Sequence, residues 1–139
     1  MGDSYSDSRF GVPKVDTFGI AFNCNSANAV KATWTPPRNE KGSQGKSKLL
    51  SVTVVPTTAG TSTGGNLKIE LLKNATSFGV ITVNSSTAGA ILRQDASIVS
   101  ASTFSQGDIL TIKNVGSDAA GVFIAQAEFQ EQFTGTAND

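Results

Sequence analysis

The sequence predicts an all-β protein, an antiparallel sandwich or barrel of about eight strands in a single domain. Composition gives the first indication, because 16 Ser and 15 Thr stand against only 7 Leu and 4 Glu in 139 residues, a balance that disfavours a helical bundle. Short segments of alternating apolar and polar residues give the second, since that period places one face of a strand in a core. Clusters of Gly, Asn and Ser between these segments supply the turns.

The strand candidates can be placed in order along the chain. Two segments near the start each place three apolar side chains on one face: Phe18, Ile20 and Phe22 in the first, and Val30, Ala32 and Trp34 in the second. The next three segments are residues 49–55, 67–72 and 80–83. A weaker pattern at residues 90–93 and 96–99 predicts one or two short strands, and clear alternation returns at residues 109–114 and 122–130.

Period-two alternation also assigns the core. The side chains predicted to face inward in the clearest strands are Leu67, Ile69, Leu71, Leu110, Ile112, Phe123 and Phe129. Cys24 ends the first strand and is interpreted as a small buried side chain. Trp34, the only tryptophan, alternates with apolar residues and is therefore assigned to the core or to a subunit contact, with a sugar-stacking platform as the alternative.

The two ends of the chain differ from the alternating region. Residues 1–17 contain few apolar side chains, five charged ones and a proline, so they are predicted to form a flexible N-terminal arm. The β-sandwich domain is assigned to residues 18–133, and residues 134–139 are predicted to form a flexible C-terminal tail. No apolar run suits a secretory signal or a bilayer span, so no membrane contact is expected.

Composition excludes most familiar catalytic chemistry. The chain has no histidine and one cysteine, which removes the commonest general base, the triads that depend on it, disulfides and most zinc sites. Asp95, Asp108 and Asp118 lack calcium-loop spacing and are interpreted as turn residues that accept hydrogen bonds from local amides. Eleven basic and eleven acidic residues cancel, so no nucleic-acid partner is expected. We predict a protein that is not an enzyme and has no cofactor or metal.

Two segments are predicted to contact a partner. The loop at residues 36–48 has a net charge of +3, which suits an acidic protein surface or a polysaccharide, while a solvated loop is the alternative interpretation. The arm has too little apolar surface to become ordered alone, so we expect a partner to order it. The candidate contact residues are Arg9, Phe10, Val12, Lys14, Arg38, Lys41, Lys46 and Lys48.

A family resemblance rests on two strand pairs. The run from Phe104 to Asn114, followed by a Gly116-Ser117-Asp118 turn and a long last strand, resembles the closing hairpin of eight-stranded jelly rolls. The segments at residues 67–73 and 78–83 resemble the central hairpin of the same class. With the Ser/Thr/Ala/Gly-rich composition and the polar arm, these features resemble the small jelly-roll decoration, or cement, proteins of tailed-bacteriophage capsids.

The resemblance implies an eight-stranded antiparallel jelly-roll sandwich and a noncatalytic structural protein of the virion. Such a protein would lie on the capsid exterior, bind the major capsid protein or another virion surface protein, and stabilise the phage head through many repeated weak contacts. Proteins of this kind commonly form trimers, and apolar residues on both faces of residues 122–124 also predict a homotrimer. The alternative is a carbohydrate- or receptor-binding jelly-roll head of a phage fibre.

Overall fold

The protein folds into two antiparallel β-sheets. The computed structural model describes residues 15–36, 46–62, 66–83, 87–95 and 103–132. This part of the chain contains nine strands and no helix, and every strand pair is antiparallel. The predicted all-β sandwich class is therefore confirmed.

The structure has nine strands in the described part of the chain. Their bounds are β1 Val15–Cys24, β2 Val30–Trp34, β3 Lys46–Thr58, β4 Lys68–Lys73, β5 Thr76–Thr82, β6 Leu92–Asp95, β7 Thr103–Phe104, β8 Leu110–Val115 and β9 Asp118–Gln132. Each segment in which the sequence predicts a strand with clear alternation corresponds to one of them. The weak signal at residues 90–93 overlaps β6 at its last two residues.

The two sheets divide the strands between them. The larger sheet has the order β1-β9-β3-β6, with β7 also pairing with β3, and the smaller sheet has the order β2-β8-β4-β5. β6 pairs with residues 51–54 of β3, whereas β7 pairs with residues 47–48 of the same strand. The described residues thus contain nine strands, one more than the eight predicted. The strand that the sequence does not predict is β7, because its two residues are too few to give an alternating pattern.

The core lies between the sheets, and the predicted inward residues form it. All seven of them are at most 1% exposed. Trp34 packs against this core, with its ring stacked on Phe129 at a centroid distance of 3.7 Å, and the ring of Phe104 lies nearly perpendicular to both. Cys24 is fully buried, and its burial raises the pKa of its thiol to about 11, so the predicted role as a small buried side chain is confirmed.

The edge strand β2 departs from the predicted pattern. Val30 is 59% exposed, so the prediction that it shares a face with Ala32 and Trp34 is wrong. Val30 pairs with Lys113 while Ala32 pairs with the adjacent Ile112, and the extra residue between them forms a β-bulge. A bulge interrupts the period of two, which explains why simple alternation fails at this position.

The other edge strand, β1, keeps its alternation. Phe18, Ile20 and Phe22 share the inward face as predicted, but they are only partly buried, since β1 pairs on one side alone within its sheet. β1 begins at Val15, so residues 15–17 of the predicted arm belong to this strand. Residues 1–14, the strand predicted at residues 96–99 and the tail at residues 134–139 lie outside the described residues.

Candidate functional site

One end of the sandwich gathers the segments that the sequence assigns to partner binding. β1 begins there at Val15, which pairs with Gln130 near the end of β9. β3 begins there at Lys46, which pairs with the last residue of β9. β2 ends there at Trp34, whose ring stacks on Phe129 of β9. We call this the arm end, and we call the opposite end, where β1 finishes and β9 begins, the far end.

The predicted contact residues are all connected to the arm end. Lys48 is exposed and Lys46 is half-buried, both on β3. Residues 37–45 precede β3 and residues 1–14 precede β1 in the chain, and both of these strands begin at this end. The six residues that lie outside the described part of the chain are Arg9, Phe10, Val12, Lys14, Arg38 and Lys41. The fold therefore connects to one end two segments that are more than twenty residues apart in the sequence.

Hydrogen bonds join two loops at the arm end. Asn74, in the turn between β4 and β5, exchanges two bonds with Ile109: its N–H donates to the Ile109 carbonyl at 3.0 Å, and its Oδ1 accepts from the Ile109 N–H at 2.9 Å. Its Nδ2 also donates to Asp108 Oδ1 at 2.8 Å. Asp108 Oδ2 accepts from the Ser105 N–H at 2.8 Å. The turn and the loop before β8 therefore form one unit.

Lys73 completes this unit. Its Nζ donates to the Thr103 carbonyl at 2.7 Å, lies 3.8 Å from Asp108 Oδ2 and sits 5.4 Å from the ring centroid of Phe104. The bond from the Asn74 amide, the Ser105 N–H and the charge of Lys73 together lower the pKa of Asp108. The carboxylate is thus stabilised as an anion at the protein surface.

At the far end, Asp118 holds a loop in place from inside the protein. The residue is 3% exposed, and its carboxylate accepts four backbone hydrogen bonds. Oδ2 accepts from Thr61 at 2.7 Å and Ser62 at 2.8 Å, while Oδ1 accepts from Ala120 at 2.9 Å and Gly121 at 2.8 Å. Burial by itself raises the pKa of Asp118, but these four N–H groups outweigh it and hold the pKa well below the usual range.

Asn114 is the second buried polar side chain at the far end. It is 0% exposed and sits in β8, just before the turn into β9. Its Oδ1 accepts from the Ala29 N–H at 3.2 Å, and its Nδ2 donates to the carbonyls of Ser26 and Gly116 at 2.8 and 2.7 Å. Asn114 therefore ties the turn between β1 and β2 to the turn between β8 and β9.

The interpretation of Asp108 and Asp118 as turn residues accounts for only part of their hydrogen bonding. Both Asp108 and Asp118 accept bonds from nearby amides, as predicted for turn residues. Asp118, however, also binds Thr61 and Ser62, which are 57 and 56 residues away along the chain. No motif indicates that pairing, and Asn114 gives no signal other than a polar residue at a position where alternation predicts burial.

The outer face of the larger sheet bears a row of apolar side chains. Ile124 of β9 pairs with Ala21 of β1 on one side and with Val55 of β3 on the other. Ile124 is 41% exposed and the neighbouring Val122 37% exposed, whereas Phe123 between them points into the core. This apolar row lies in the half of the sheet nearer the far end.

A shallow groove of about 220 Å³ lies at the arm end of the smaller sheet, lined by Thr33, Trp34, Thr35 and Ile109. In the described ranges, no group of three or more Cys, Asp or Glu side chains is arranged to hold a metal ion. The same ranges contain no helix long and apolar enough to cross a membrane.

Comparison with known proteins adds no relative. No protein-family model matches the sequence, and no curated protein shows significant similarity to it. The fold and the two ends of the sandwich are therefore the basis for assigning a function.

Proposed function

We propose that this protein is a noncatalytic capsid decoration protein with a jelly-roll fold, which binds the exterior of a phage head and stabilises it. The observation that carries the proposal is that β1 and β3, the strands that follow the arm and the basic loop in the chain, both begin at the arm end. A partner surface facing that end would meet both segments at once. Several weak contacts to a repeating surface then add up to firm attachment, because every copy on the particle repeats them.

The strand order supports the jelly-roll assignment. In a jelly roll with eight strands in two sheets, the first, eighth, third and sixth share one sheet, and the second, seventh, fourth and fifth share the other. The present order follows that scheme if β6 and β7 are two halves of one interrupted strand. Their pairing with successive parts of β3 supports this interpretation.

Exposed apolar side chains on the outer face of the larger sheet support contact between copies, and we propose that three copies associate. Ile124 and Val122 are exposed side chains of a kind that a soluble surface seldom groups together without a partner. Sedimentation of the purified protein should give three times 14.3 kDa. A monomer at every concentration, in solution and on particles, would remove this part of the proposal.

The first test of function is the composition of the particle. Mass spectrometry of purified virions from the virus that encodes this chain should find it in near-stoichiometric amount relative to the major capsid protein. Its absence from virions would overturn the proposal.

The second test separates attachment from folding. Deleting residues 2–14 leaves β1 intact, so the variant should melt within a few degrees of wild type. It should also fail to sediment with capsids that lack the native protein. Full binding by this variant would overturn the anchoring role of the arm.

Lys48→Ala examines the basic loop in the same pelleting assay, with Lys68→Ala as its control. Both lysines are exposed strand residues, but Lys68 lies on the smaller sheet at the far end. We expect weaker capsid binding for Lys48→Ala only, with a loss that grows less marked as salt is raised. Equal losses from the two variants would contradict a contact at the arm end.

A carbohydrate-binding head is the second candidate, and the groove that Trp34 lines together with Thr33 and Thr35 is the observation that favours it. Trp34 is the side chain that would stack on a sugar, and one face of its ring is covered by Phe129. Binding of the purified protein to a glycan array would favour that alternative over capsid decoration.

A further inference from the structure

The groove at the arm end is an uncharged recess with fixed walls. Four residues line its volume of about 220 Å³: Thr33, Trp34, Thr35 and Ile109. Asn74 bonds to both the N–H and the carbonyl of Ile109, at 2.9 and 3.0 Å, so the backbone of this wall is held in place. Trp34 is held as well, because its ring stacks on Phe129. A preformed groove loses little freedom on binding, which favours the capture of an apolar group.

The start of the chain contains one segment that suits this groove. Phe10-Gly11-Val12-Pro13 is the longest uncharged run in residues 1–14, and it carries an aromatic and a branched apolar side chain. Pro13 disfavours a helical conformation at Val12, so the sequence indicates an extended run. Alternate residues of an extended run share a face, which places Phe10 and Val12 on the same side. The run is therefore expected to present two apolar side chains together.

The structure brings the start of β1 close to the groove. Asp16 of β1 pairs with Phe129 of β9, and the Phe129 ring stacks on the ring of Trp34 in the other sheet. Since stacked sheets lie about 10 Å apart, the start of β1 and the end of β2 are separated by about that distance. Phe10 lies five residues before Val15, and five extended residues span about 17 Å. Phe10 can therefore reach the groove of its own chain without a second copy.

We propose that residues 10–13 bind in the groove of their own chain, with the ring of Phe10 against Ile109. This inference concerns the free protein and does not depend on the proposed function. It fixes the point from which residues 1–9 leave the domain, so less entropy is lost when a partner orders them. It also assigns Phe10 and Val12 to a contact within the chain, and it closes the groove to a sugar while the arm is bound.

Limited digestion with trypsin tests the contact, because Arg9 and Lys14 flank the bound run. Cleavage after Arg9, followed by mass spectrometry of the full chain, should be at least about tenfold faster in Ile109→Ala than in wild type, since a weaker contact leaves the arm open for longer. Ile109 is 44% exposed and its bonds to Asn74 use the main chain, so the variant should keep its fold. Val80→Ala is the matched control, because Val80 is 41% exposed on the same sheet and outside the groove. Equal cleavage rates in Ile109→Ala and wild type would overturn the contact.

NMR spectroscopy shows the contact directly. In the full chain, the methyl groups of Ile109 should give nuclear Overhauser cross-peaks to the ring of Phe10. Phe10→Ala should shift the amide signals of Thr33 and Thr35, whereas Tyr5→Ala, the aromatic control in the same arm, should leave them unchanged. Missing cross-peaks would overturn the contact, and a glycan whose binding Ile109→Ala abolishes would then assign the groove to a sugar.

Dilution separates binding within one chain from binding between copies. Protection of the bond after Arg9 should stay the same over about a hundredfold range of protein concentration, because a contact within one chain does not depend on concentration. Protection that rises with concentration would place the arm of a second copy in the groove and would overturn the contact within one chain.

Discussion

The two ends of the sandwich hold their loops with the same pair of residue types, an aspartate and an asparagine, in opposite surroundings. At the far end, Asp118 and Asn114 are 3% and 0% exposed. At the arm end, Asn74 is exposed and the side chain of Asp108 is 24% exposed. Both pairs tie a turn to a neighbouring loop, so the chemistry is alike and the burial differs.

Burial decides how much each pair contributes to stability. If Asp108 loses a partner, water can take its place, and the net cost of a hydrogen bond exchanged with water is small. Asp118 is 3% exposed; its bond from the Gly121 N–H is buried and the other three bonds are part-buried. Water therefore replaces its partners less easily than at Asp108, and a group left unpaired there carries more of its desolvation cost. We therefore expect substitutions at the far end to destabilise the domain more than substitutions at the arm end.

Asp118→Asn should have the largest effect. The amide has nearly the size of the carboxylate, but its NH₂ group faces two N–H donors and leaves them without an acceptor. We expect the free energy of unfolding in urea at pH 7 to fall by about 3 kcal/mol or more. A loss below about 1 kcal/mol would show that the far end does not depend on this carboxylate.

The same variant should change the dependence of stability on pH. The pKa of Asp118 in the folded protein lies below the value of about 3.9 for an unfolded aspartate, so folding releases protons when the pH is near or below that value. Its stabilisation is complete above the unfolded pKa and is lost as the pH falls from about 5 toward the folded pKa. Wild type should therefore lose stability across that range more steeply than Asp118→Asn. Parallel curves would contradict the assignment.

Asp108→Asn is the corresponding change at the arm end and should cost about 1 kcal/mol or less, because the site is open to water and the ion pair with Lys73 is long. The pKa of Asp108 is also lowered in the folded state, so its contribution should likewise disappear as the pH falls below about 5. Adding salt should reduce the effect of this substitution but not that of Asp118→Asn. If Asp108→Asn destabilised the protein as much as Asp118→Asn, burial would not be the property that separates the two ends.

The smallest effect is expected from Ala75→Gly, in the turn at the arm end. Asn74 and Ala75 have φ values of 49° and 70°, the pattern of a two-residue hairpin turn in which glycine is preferred at the second position. Removing the Cβ at a positive φ should raise the free energy of unfolding by about 0.5 to 1 kcal/mol. Ala27→Gly, where φ is not positive, is the control and should bring no gain. A loss of stability for Ala75→Gly would show that the turn is not strained.

The sequence predicts the strands wherever the inward side chains repeat every second residue. Leu67, Ile69 and Leu71 are completely buried because nothing interrupts that period in β4. The same rule fails at Val30, where a bulge inserts one residue, and it cannot detect the two residues of β7. For the candidate site, the sequence singled out Lys46 and Lys48, but it could not place them beside the start of β1, because that requires both strands to pair with β9.

By itself, then, the sequence determined the all-β class, the positions of the main strands and the faces that they bury, since these depend on residues close together in the chain. It also excluded histidine-dependent chemistry by composition. Only the tertiary structure decided that β1 and β3 begin at the same end, that Asp118 binds amides 56 and 57 residues away, and that Ile124 pairs with Ala21. These facts depend on which strands pair, and pairing between distant segments is set by the packing of the whole core.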